Sequence, residues 1–161
     1  MKKLPIVLAF SAIISYGTAH STIIVPFDSH IAIADLPATV KPFVEQKFPG
    51  YHIKTASPDP LCDGSPAIDV VIVKKGMPRF SLIFKPDGTF VQKEEDVPIS
   101  SAPQAVLNAF KKNFTGYKAA KEIEKLTLAD NTTQYLLDIS KGKSTKEAIF
   151  SSDGTLLCNT K

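Results

Sequence analysis

The stretch LPATVKPFVEQKFPGY at residues 36–51 returns in outline as APQAVLNAFKKNFTGY at residues 102–117, 66 positions later. At that offset the chain from Leu36 to Glu95 lies on Ala102 to Lys161 without a gap. Twelve of the 60 pairs are identical, against about three or four expected from ordinary composition. The identities fall on caps, turns and apolar anchors: Pro37/Pro103, Val40/Val106, Phe48/Phe114, Gly50-Tyr51/Gly116-Tyr117, Lys75-Gly76/Lys141-Gly142, Ile83-Phe84/Ile149-Phe150 and Asp87-Gly88-Thr89/Asp153-Gly154-Thr155. No cluster of acids, bases, nucleophiles or metal ligands is repeated. The pattern describes an architecture rather than a chemistry.

Each copy reads as one helix followed by strands. Asp35-Leu36-Pro37 and Ser101-Ala102-Pro103 open the helices. Val40, Phe43, Val44 and Phe48, and then Val106, Leu107, Phe110 and Phe114, recur at helical spacing up to Pro49-Gly50 and Thr115-Gly116. Pro42 should bend the first helix by removing its bond to Ala38. Beyond each helix the apolar period drops to two, giving strands over 51–56, 67–74, 79–85 and 89–93, and again over 121–128, 133–140, 145–151 and 155–159. Short turns at Lys75-Gly76, Asp87-Gly88, Lys141-Gly142 and Asp153-Gly154 force antiparallel neighbours. The expected class is α+β, with two tandem repeats, 36–98 and 99–161. Each has one helix packed on a four-stranded antiparallel sheet, and the two form one extended sheet.

At the 66-residue offset the matched apolar residues Val71, Val73 and Phe84, and Leu137, Ile139 and Phe150, should face the helices. Ile68, Val70 and Ile72 would then line the opposite, open face beside Gln134, Leu136 and Asp138 in the second copy. An apolar row on an open face needs a cover. It is either the alternating stretch 22–27 of an N-terminal extension (20–35) or a partner. Residues 57–66, SPDPLCDGSP, form an irregular loop fit for recognition or for tethering, with Leu61 at its centre. Cys62 and Cys158 are either bonded, tying this loop to the last strand, or two separate thiols.

Lys2 and Lys3, an apolar run over 4–14 and small residues at Gly17 and Ala19 read as a secretory signal peptide, residues 1–19. Its removal takes the charge from +3 to +1, because 19 basic residues become 17 against 16 acidic ones. So neutral a chain lacks the footprint of a nucleic-acid binder or an anionic-membrane binder. No metal site is expected, since His30 and His52 have few ligand neighbours and Asp59 and Asp63 lack the ligand spacing of a calcium loop. No cofactor motif or activated nucleophile appears. Glu94-Glu95-Asp96 reads as a solvated linker between the copies.

Leu36-Pro37, Lys47-Phe48-Pro49-Gly50 and Phe84-Lys85-Pro86-Asp87-Gly88, with their echoes at Ala102-Pro103, Asn113-Phe114-Thr115-Gly116 and Asp153-Gly154, resemble the PepSY-like, beta-lactamase-inhibitor-protein-like family of bacterial envelope proteins. The resemblance implies a periplasmic or secreted, non-catalytic scaffold. The inhibitors of that group present Trp and an acidic-aromatic hairpin. This chain has no Trp, and its hairpin reads Lys74-Lys75-Gly76-Met77-Pro78. The expected function is a binding module that engages an envelope or secreted protein through Leu61, Ile68, Val70 and Ile72, as a monomer. The alternative is a structural or self-associating protein in which the same row closes a homodimer.

Overall fold

The computed structural model describes residues 30–160. The expected signal peptide and the alternating stretch 22–27 lie outside the described residues. A short 3-10 turn at Ile33–Asp35 leads into α1 (Val40–Lys47), then β1 (His52–Pro58), β2 (Ile68–Val73), β3 (Phe80–Phe84) and β4 (Phe90–Pro98). A second 3-10 turn (Ile99–Ser101) leads into α2 (Gln104–Asn113), β5 (Lys118–Ala119), β6 (Glu122–Leu128), β7 (Thr133–Lys141), β8 (Ser144–Ser151) and β9 (Leu156–Asn159). The strands form one open antiparallel sheet in the order β1-β2-β3-β4-β6-β7-β8-β9, with β5 paired to β7. The α+β class and the antiparallel sheet are as the sequence implied.

Pro42 does not bend α1. The helix starts at Val40, and its first main-chain bond runs from Phe43 N–H to Thr39 C=O. Pro42 therefore sits in the first turn, where an amide would have no helical partner and its absence costs nothing.

The two helices lie on one face of the sheet. Val40 and Val44 pack with Ala56, Ile68, Val70, Ile72, Leu82 and Phe84. Val106 and Phe110 pack with Ile123, Tyr135, Leu137, Ile139, Ala148 and Phe150. Ile68, Val70 and Ile72 thus belong to the core beneath α1, with Val70 and Ile72 fully buried, and do not line an open face. Val71 and Val73 point away from the helices and are only half-buried. The homodimer through this row has no surface to use.

The reason for the reversal is a pair of compensating one-residue slips. Val70 and Ile72 match Leu137 and Ile139 in the core at an offset of 67. Val40 and Val44, and Leu82 and Phe84, keep the offset of 66 from Val106 and Phe110, and from Ala148 and Phe150. Between Ile53↔Ile72 and Thr55↔Val71 the first half carries one bulged residue, whereas Ala119↔Ile139 and Glu124↔Leu136 leave two extra in the second. The turn after β2 then takes up one residue more than its counterpart: Ile72 pairs with Phe80, and Ile139 with Lys146. A one-residue slip sends every side chain of a strand to the other face.

Two lysine contacts follow the same offset of 67. Lys74 donates from Nζ to the Pro49 carbonyl at 3.1 Å, and Lys141 donates to the Thr115 carbonyl at 3.4 Å. Each lies 5.7 Å from the centre of the following tyrosine ring, Tyr51 or Tyr117. Lys74, rather than Lys75, is the counterpart of Lys141.

Hairpin tips meet the helix starts. Gly154 takes φ 87°, and a Cβ there would stand 2.6 Å from the Ala105 carbonyl oxygen in the first turn of α2. Gly154→Ala is expected to destabilise by about 3 kcal/mol, combining left-handed strain with a backbone clash. Gly142→Ala, also left-handed but with nothing within 4 Å, should cost about 1 kcal/mol. Urea unfolding of both variants against the parent measures the difference, and equal losses would contradict the close approach.

Candidate functional site

The face opposite the helices is set by register. Across β4 and β6 it presents Glu94 opposite Leu126 and Asp96 opposite Glu124. Across β7 and β8 it presents Leu136 opposite Ile149 and Asp138 opposite Glu147. From β3 and β9 come Ile83, opposite Gln92, and Cys158, opposite Ile149. Ile83 and Leu126 are almost fully buried yet belong to neither helix-side cluster. A small second core therefore lies on this face.

Residues 59–66 supply its cover. Asp59 N–H donates to Ala67 C=O at 3.0 Å and Leu61 N–H to Ser65 C=O at 2.9 Å, so the β1–β2 hairpin runs on as an arm. Gly64 N–H closes the tip on Leu61 C=O, and the Asp63 carboxylate accepts the Ser65 N–H at 2.8 Å. Cys62 on this arm is bonded to Cys158 of β9. Of the two readings of the cysteines, the structure shows the bridge, and it ties the loop to the last strand. Beneath the arm is a cavity of about 260 Å³, walled by Leu61 and Cys62 above and by Ile83, Glu94, Glu124 and Ile149 below.

Carboxylates dominate the rest of the face. Glu94 and Glu124 are half-buried at its centre, and Asp59, Asp96, Asp138 and Glu147 stand exposed around them. Asp96/Glu124 and Asp138/Glu147 are like charges set directly opposite each other, an arrangement that works against sheet stability. Among the described residues the one ion pair, Lys93 to Glu95 at 2.8 Å, does not involve any of them. Burial pushes the Glu94 carboxyl up to about 7, against a hydrogen bond from the Gln92 side-chain amide at 2.7 Å that opposes the shift. Burial pushes Glu124 up to about 8, helped by Glu94, Asp138 and Asp96. Burial also raises Asp69, whose Oδ1 is enclosed without a hydrogen-bond partner among the described residues.

Glu94-Glu95-Asp96 is thus no linker. It lies inside β4, in the ladder that joins the two halves, and Glu94 is at the centre of the acidic face. Of the residues singled out from the sequence, Leu61 lines the cavity, whereas Ile68, Val70 and Ile72 are on the far side of the sheet. The sequence reading placed Gln134, Leu136 and Asp138 on this face but missed Glu94, Glu124 and Glu147. Alternation could have located Glu124 and Glu147, which stand next to the buried Ile123 and Ala148, but Glu94 has only polar neighbours within two residues.

Chemically, Glu94, Glu124, Glu147, Asp59 and Asp69 on this face all hold their protons more tightly than usual, chiefly through burial. Among the described residues no group of three or more His, Cys, Asp or Glu converges to hold a metal ion. The carboxyls are spread along strands, a layout suited to an extended cation. Among the described residues no helix is long and apolar enough to cross a membrane.

No protein-family model and no curated protein matches the chain. Solved structures do. A DUF2874 family protein from Bacteroides uniformis superposes with a TM-score of 0.55 at 13% identity, over 76% of this chain and 87% of that one. A Bacteroides eggerthii protein described only as a candidate periplasmic one gives 0.56 at 17%, over 78% and 88%. A BLIP-like protein from Bacteroides fragilis gives 0.52 at 16%, over 78% and 85%. At these identities the likeness is one of fold.

A carboxyl that holds its proton more tightly folded than unfolded contributes stability in full below about pH 4.5, the ordinary value, and loses it as pH rises through the folded value. Thermal melting should therefore fall between pH 5 and pH 8.5 as Glu94 and Glu124 are forced to ionise. At pH 8.5 Glu124→Gln should recover about 1–2 kcal/mol after discounting for solvent screening, and the pH dependence should flatten. A melting temperature that rises with pH across this range would contradict the burial of these groups.

Proposed function

We propose that this protein is a non-catalytic periplasmic binding module whose acidic sheet face takes up a basic segment of an envelope or secreted protein. The observation that carries this reading is the set of carboxylates opposed across β4/β6 and β7/β8, none of them in an ion pair among the described residues, although Arg79 stands at the rim beside Asp69, Glu94, Asp96 and Glu124. A sheet that stacks like charges over an apolar floor loses stability until an external cation relieves it. A lysine or arginine side chain fits the chemistry, with its methylenes on Ile83, Leu136 and Ile149 and its head among the carboxylates. The periplasmic location is supported by the leader-like sequence and by the description of the Bacteroides eggerthii neighbour. Kinship with PepSY proteins and an origin by duplication are part of the same proposal, supported by the 66-residue sequence echo and by the like strand connections of residues 52–98 and 118–159. Inhibition, as in the name of the BLIP-like neighbour, would be one use of such a face, without the Trp-based contacts of the known inhibitors.

The test is calorimetric titration with a hexalysine peptide and a hexaglutamate control at low salt. The lysine peptide should bind, more tightly at pH 8.5 than at pH 6, because protonated Glu94 and Glu124 attract no cation. Glu124→Gln should weaken it about tenfold, equivalent to about 1.4 kcal/mol. No binding of hexalysine at pH 8.5, or equal binding of both peptides, would refute the reading.

A further inference from the structure

The arm at 59–66 has an unusual mode of attachment. Its main-chain bonds all close within the β1–β2 hairpin: Asp59 to Ala67, Leu61 to Ser65 and Gly64 to Leu61. Its one side-chain bond, Ser65 N–H to Asp63, is internal as well. Among the described residues no hydrogen bond runs from the arm to the sheet beneath it. What ties it there is the Cys62–Cys158 bond, which reaches across 96 residues of sequence, with Leu61 lining the cavity above the apolar floor. Both sulfur-bearing residues are only partly buried, so a reductant can reach them. Cys158 belongs to β9, a four-residue strand at the sheet's end that is paired on one side only.

The geometry points to the Cys62–Cys158 bond as a redox-released latch: when a dithiol reductant cleaves it, the arm comes off the sheet and frays, β9 loosens, and the floor is uncovered, while β1 to β8 keep their pairing. The exchange is balanced. One thiolate of the reductant attacks a cysteine sulfur and forms a mixed disulfide, expelling the other cysteine as thiolate. The reductant's second thiol then displaces the first cysteine. Two electrons and two protons pass to Cys62 and Cys158, and the reductant leaves as its own disulfide. The two helix-side cores do not include the arm, so its release leaves both of them buried. That release widens access for a basic segment rests on the function proposed above; the release itself does not.

Amide hydrogen exchange of the full chain, oxidised and after dithiothreitol, tests the latch without any ligand, and a Cys62→Ser/Cys158→Ser variant controls for the reagent. The expected result is exchange at least about tenfold faster in 59–66 and in β9, with β2, β3 and β6 changed by less than about twofold. Loss of protection throughout the sheet would make the bond a plain structural staple and overturn the proposal. Unchanged exchange in 59–66 would overturn it too, since packing alone would then hold the arm. Hexalysine titration of both redox forms separates the two proposals. Selective release with no binding in either form leaves the latch standing and removes the basic-segment reading.

Discussion

Seven consecutive cross-strand pairs, from Gln92↔Leu128 to Pro98↔Glu122, join β4 to β6 and make one sheet of what would otherwise be two small helix-capped units. Without this ladder each half would be small enough to be only marginally stable. With it, Glu94 and Asp96 of the first half meet Leu126 and Glu124 of the second, and the arm that leaves β1 comes within reach of β9. The acidic face, the cavity and the disulfide all follow from this one pairing.

A sheet has two faces, and both helices lie on one of them. The other face buries Ile83 and Leu126, so it too needs a cover, and the arm with Leu61 supplies it. Such a short arm shelters only part of the surface. Glu94 and Glu124 beside it are left half-dehydrated, with like charges as neighbours and no ion pair to either among the described residues. Their placement works against the stability of the sheet, so folding alone does not account for it.

The sequence conveyed the architecture well, because caps and turns are local. Gly50, Gly88, Gly116 and Gly154 all take the positive φ that their positions in the sequence imply. It conveyed the second half's faces correctly, with Leu137, Ile139 and Phe150 inward. It failed at β2 because two insertions of one residue each, one at the bulge after Ala119 and one after Lys74, cancel in the overall offset. A gapless self-alignment passes over both and inverts the strand between them. The acidic face was hidden for a different reason. Its members come from five strands and one loop, and a run such as Glu94-Glu95-Asp96 gives no sign that its first residue sits at the middle of a sheet. Only the β4–β6 register reveals that.

The bond between Cys62 and Cys158 also changes what a cut in the backbone means. It closes most of the folded chain into a covalent ring, with sheet strands β2 to β8 all inside it. A protease that severs a single surface turn in that ring, at Met77 or at Lys143, produces no free fragment, and the two pieces stay tethered in register. In a compartment where proteases are abundant, a once-nicked molecule would still be a whole one.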